Sequence, residues 1–94
     1  MPLDRLGDRF PTGEQALKAA LKRERVPIDD VQLGLGYTGV SWSLHVTAPR
    51  LGYRKVAQLA PDELRADTAF IELCDSIAEE LGMLARRMPR DQHH

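Results

Sequence analysis

A single cysteine, Cys74, in 94 residues excludes an intramolecular disulfide, whereas a small secreted domain usually carries several. No apolar run approaches the length needed to span a membrane. The first nine residues (Met1-Pro2-Leu3-Asp4-Arg5-Leu6-Gly7-Asp8-Arg9) interleave charge with apolar side chains and contain no apolar h-region, so a signal peptide is not expected. Together these absences predict a cytoplasmic protein with no membrane contact. Net charge is scarce too, at −1, and aromatics make up only 5%. The basic clusters carry no aromatic ladder for base stacking, which weakens a nucleic-acid reading.

What is present is ordinary globular material. The apolar fraction is 43% and the charged fraction 29%, enough for one core in a single domain and unlike a disordered chain. The near-zero net charge hides an asymmetry. Residues 1–55 hold nine Lys/Arg against six Asp/Glu, and residues 56–94 hold four against eight.

Residues 1–11, with Pro2, Gly7 and Pro11, show no clean period and predict an N-terminal arm packed down by Leu3, Leu6 and Phe10. Thr12-Gly13-Glu14-Gln15 fits a capping box. It predicts a helix from Gly13 to Arg25 that buries Leu17, Ala20 and Leu21 and ends at Val26-Pro27. Residues 31–37 and 40–48 each alternate. The second run places Val40, Trp42, Leu44, Val46 and Ala48 on one face and Ser41, Ser43, His45 and Thr47 on the other. Tyr37-Thr38-Gly39 joins the two as an antiparallel hairpin. A weaker alternation over 51–59, interrupted by Lys55, suits an edge strand. Pro61-Asp62-Glu63 then opens a helix, with Asp67 capping a fresh start. From Phe70 the apolar residues Phe70, Cys74, Ile77, Leu81, Leu84 and Met88 recur in steps of three and four.

The expected fold is therefore α+β: a three-stranded antiparallel sheet with two helices on one face, in the order α–β–β–β–α. Residues 12–88 form the domain and residues 89–94 a tail, in which His93 and His94 have the look of a tag remnant. In order, this arrangement resembles the double-stranded-RNA-binding fold. Members of that family open their last helix on lysines that grip phosphates. Here Pro61-Asp62-Glu63 stands in that place, so the resemblance carries no RNA-binding residue onto this chain.

Several motifs invite chemistry and fail on context. Gly34-Leu35-Gly36-Tyr37-Thr38-Gly39 matches a dinucleotide fingerprint letter for letter. A strand follows it where a phosphate-binding helix is required, so no cofactor is implied. Ser43 and His45 share a strand face about 6.5–7 Å apart, too far for a nucleophile–base hydrogen bond between short side chains. Cys74 lies on the apolar seam with Glu72 and Asp75 nearby, surroundings that disfavour a reactive thiolate. One cysteine and one internal histidine supply no metal-ligand spacing. The acidic run Glu72, Asp75, Glu79 and Glu80 reads as a solvated helix face.

No catalytic, metal or cofactor residue is placed, and a non-enzymatic module that binds a macromolecular partner is the expectation. The partner is a protein in the first instance. The alternative is nucleic acid, held by a basic patch made of Lys18, Lys22 and Arg25 on the first helix with Arg50, Arg54 and Lys55 at the edge strand. Ser43 and His45 join the candidate binding surface as adaptable hydrogen-bonding groups. Leu81, Leu84 and Met88 form a candidate homodimer seam at the overhanging end of the last helix.

Overall fold

The computed structural model describes residues 3–59 and 64–87. Its elements are β1 (Asp4–Arg5), α1 (Leu6–Arg9), α2 (Pro11–Arg23), β2 (Gln32–Tyr37), β3 (Trp42–Ala48), β4 (Tyr53–Gln58) and α3 (Thr68–Arg87). Short 3-10 turns occupy Ile28–Asp30 and Pro49–Leu51. The class is α+β as expected, but the sheet has four strands and there are three helices. The strands form an antiparallel meander in the order β1-β2-β3-β4.

The extra elements come from the segment read as an arm. Asp4 and Arg5 pair with Leu35 and Gly34 of β2. Leu6 and Phe10 enter the core, where the Phe10 ring lies 5.0 Å from that of Phe70. A two-residue strand and a one-turn helix are too short to show a period, so composition alone described them as irregular.

The start of α2 also differs. Pro11 occupies its first turn, with Phe10 at the N-cap position and no side-chain cap. Thr12 sits inside the helix, and the capping box does not form. Proline at the first helical position has no N–H to leave unsatisfied and a φ already set for the helix. The C-terminus closes by a Schellman arrangement rather than through Pro27 alone. Val26 N–H donates to Leu21 O at 3.0 Å and Arg25 N–H to Lys22 O at 3.0 Å. Arg25 takes the left-handed φ of 59° that this motif requires.

The hairpin register places Leu33 opposite Val46 and Leu35 opposite Leu44. One face of the sheet therefore carries Leu35, Leu44, Val46 and Ala48, all buried with Leu17, Leu21, Ile77 and Leu81 of the helices. Two members of the expected apolar stripe depart from it. Val40 lies in the turn before β3 and is 76% exposed, and Trp42 is half-buried with its ring 4.7 Å from Tyr37.

On the other face, Ser43 was expected to be wet and is only 5% exposed. Its cover is Gln58, which donates from Nε2 to Ser43 Oγ at 3.3 Å and accepts from Ser41 Oγ at 2.9 Å. Period-two reasoning assigns a side but cannot see a neighbouring strand's side chain folding over it.

Asp67 caps α3, its Oδ1 accepting from Phe70 N–H at 2.9 Å. Residues 61–63, expected to open that helix, lie outside the described residues, and Leu64–Asp67 are not helical. The seam of α3 is consumed inside the monomer: Phe70, Cys74, Ile77 and Leu81 are all core residues. Leu81 has 0% exposure and is not available to a dimer. Leu84 is half-buried. Met88 and the tail at 89–94 lie outside the described residues.

Candidate binding surface

Among the described residues all helices pack on one side of the sheet, and no helix covers the opposite side. Strand pairing defines what stands on it. Arg5 (β1), Gly34 (β2), His45 (β3) and Val56 (β4) make one row. Gln32, Thr47 and Arg54 make the row on one flank, and Gly36, Ser43 and Gln58 the row on the other. Leu3 lies across the middle of β2. Its Cδ atoms come within 3.0 Å of where a Cβ would stand at Gly34 or Gly36, so glycine permits the close approach. The His45 ring leans over Gly36, with Nε2 3.5 Å from the same hypothetical Cβ. The result is a shallow groove of about 200 Å³ lined by Leu3-Asp4-Arg5, Gln32-Leu33-Gly34, His45 and Thr47.

The electrostatics of this face are one-sided. No strand position facing it holds a carboxylate, while Arg5 and Arg54 both do and neither has an ion pair among the described residues. Asp4, opposite Leu35, belongs to the helix side of the sheet and pairs with Arg9 at 3.1 Å. The acids of α3 stand on the far side of the molecule. Asp75 there meets Arg23 of α2, and Glu80 holds β4, accepting from Tyr53 Oη at 2.5 Å and pairing with Lys55 at 3.6 Å. Burial, the hydrogen bond to Glu80 and its negative charge all push the Tyr53 phenol up.

The six basic residues expected to form one patch do not come together. Arg54 and Lys55 are neighbours on β4 and therefore face opposite sides. Lys55 is held by Glu80, Arg50 by Asp30 at 3.3 Å, and Lys18 by Glu14 at 3.4 Å. Lys22 and Arg25 flank a shallow depression at the C-terminal end of α2 with Val26 and Pro27. Of the expected surface, only Ser43, His45 and Arg54 share the uncovered face, and Ser43 is sealed by Gln58.

Ser43 engages Gln58 rather than His45. Cys74 is buried, and desolvation with the charge of Asp75 pushes its thiol up to about 11. Among the described residues no three His, Cys, Asp or Glu side chains gather as a metal set, and no helix is long and apolar enough to cross a membrane.

Sequence reasoning missed Arg5 and Leu3, because β1 was not legible and without it the face ends at β2. The alternation of Gln32, Gly34 and Gly36 against Leu33 and Leu35 was a signal for the rest of the floor. Comparison with protein families, with curated proteins and with solved structures found no match in any of the three.

Proposed function

We propose that this chain is a non-enzymatic cytoplasmic binding module that docks a macromolecular partner, in the first instance a protein, through the uncovered face of its sheet. One observation carries the reading. Among the described residues the four-stranded sheet is helix-covered on one side only, and its other side combines a groove, two arginines without carboxylate partners, and neutral hydrogen-bonding groups. Polar side chains of this kind suit an adaptable docking surface. Among the described residues Ser43 engages Gln58 rather than His45, so the pair does not form the nucleophile and base that an enzyme reading needs.

Nucleic acid is the second reading, drawing on Lys22, Arg25 and Arg54. It is the weaker one, because the remaining cations of that patch are engaged by carboxylates.

The test is affinity capture from the native host with the full chain, with and without nuclease, alongside two charge-reversed variants. Capture of a specific protein that survives nuclease, falls at least tenfold with Arg5→Glu/Arg54→Glu and persists with Lys22→Glu/Arg25→Glu supports the reading. The opposite response to the two variants contradicts it. Nuclease-sensitive capture moves the assignment to nucleic acid.

A further inference from the structure

We infer that the occupant of the uncovered face is an acidic polypeptide segment in extended conformation, which rests on the docking reading above and specifies its partner. Charge is the first ground. Among the described residues neither Arg5 nor Arg54 has an ion pair, and the carboxylates nearest Arg5, Asp4 and Glu14, are paired with Arg9 and Lys18, so a basic or neutral segment gains nothing from either arginine, whereas glutamate or aspartate satisfies both by charge-assisted hydrogen bonds.

Shape is the second. The Leu3 side chain already lies over Gly34 and Gly36, so what stays open is a shallow trough of about 200 Å³ beside it, which takes side chains from one extended segment.

The third ground separates protein from nucleic acid. Sheet faces that bind single strands present aromatic rings for base stacking. Every aromatic of this sheet has the other parity: Tyr37 pairs with Trp42, and Tyr53 pairs with Ala48, all on the side of Leu44. The uncovered face has arginine and histidine but no ring platform of Phe, Tyr or Trp.

Strand pairing also sets a spacing. Arg5 and Arg54 stand on the two edge strands, three strand separations and one two-residue step apart, or about 16 Å between Cα atoms. Residues i and i+4 of an extended segment point the same way and lie about 13 Å apart. Given the length of two arginine side chains, carboxylates at i and i+4 reach both guanidinium groups, and carboxylates at i and i+1 do not.

Fluorescence anisotropy with the full chain tests this. The probes are labelled peptides of about ten residues in a Ser/Val/Thr background, carrying Glu at i and i+4, Glu at i and i+1, or Lys at i and i+4, together with a dT oligonucleotide of similar length. The Glu i/i+4 peptide is expected to bind at ~50 mM salt at least tenfold more tightly than the other peptides. It should lose at least tenfold with Arg5→Gln/Arg54→Gln and again at ~500 mM salt. Both arginines are exposed, so the variant keeps the fold, and circular dichroism verifies this. Equal binding of Glu and Lys peptides, indifference to the double variant, or no binding of the Glu peptide at millimolar concentration overturns the inference. Oligonucleotide binding that needs Arg5 and Arg54, without Glu-peptide binding, overturns the acidic-peptide inference while leaving the face as a docking surface. Capture of a host partner that ignores Arg5→Glu/Arg54→Glu removes the face itself.

Discussion

Arg25 holds its left-handed backbone at φ 59° because the closing turn of α2 needs it, and for a residue with a Cβ that conformation costs on the order of 1 kcal/mol. Arg25→Gly relieves the clash but frees the unfolded chain, and the balance favours the folded state by about 0.5 kcal/mol. A higher urea midpoint with unchanged slope is the expected result. The two proposed helix caps separate in the same assay. Asp67→Ala removes the carboxylate that accepts from Phe70 N–H and costs about 1 kcal/mol, whereas Thr12→Ala costs under about 0.5 kcal/mol because no side-chain cap forms there. Asp67 was legible as a cap. Thr12 was a false signal, overridden by the fixed φ of Pro11 one residue earlier.

Two residues also set how stability responds to alkali. Cys74 and Tyr53 each hold their proton more tightly folded than unfolded, so the stabilisation is complete below their ordinary values and is lost as pH rises. For Cys74 the loss runs from about 9 to about 11, and for Tyr53 it begins above 10. Denaturant midpoints should fall between pH 9 and 11, and the fall should be shallower in Cys74→Ala/Tyr53→Phe.

At the scale of elements, α3 shows where periodicity informs and where it stops. Its steps of three and four identified the buried stripe, and Phe70, Cys74, Ile77 and Leu81 line the core. The same steps gave no means of deciding whether the stripe packs within the monomer or against a second copy, since both present identical spacing. Leu81→Ala is expected to cost about 2–4 kcal/mol as a core truncation, while Leu84→Ala, half-buried, costs distinctly less in the same urea titration. In β3 the alternation correctly put Leu44, Val46 and Ala48 under the helices. It extended the strand too far at Val40, where Thr38 Oγ1 accepts from Ser41 N–H at 3.1 Å and holds a turn instead.

For the whole molecule, the charge asymmetry of the sequence becomes a two-sided object. The acids of α3 stand on the helix side, where Asp75 and Glu80 are tied by Arg23 and Lys55, and no strand position of the uncovered sheet face is acidic. The class of fold and most of the core were legible because long periodic segments carry them. The face was half legible: β2 and β3 alternate openly, but its two arginines come onto one face, at opposite edges, only once β1 and β4 take their places in the sheet, and no local pattern encodes the pairing of β1 with β2. An amide chemical-shift map of the isotope-labelled chain, titrated with the Glu i/i+4 peptide, tests the central claim most directly. The account predicts shifts concentrated at Gln32, Gly34, Gly36, His45, Thr47 and Val56, with α2 and α3 unmoved. Shifts confined to the Lys22–Pro27 end or to α3, or none at any of those six positions, would contradict it.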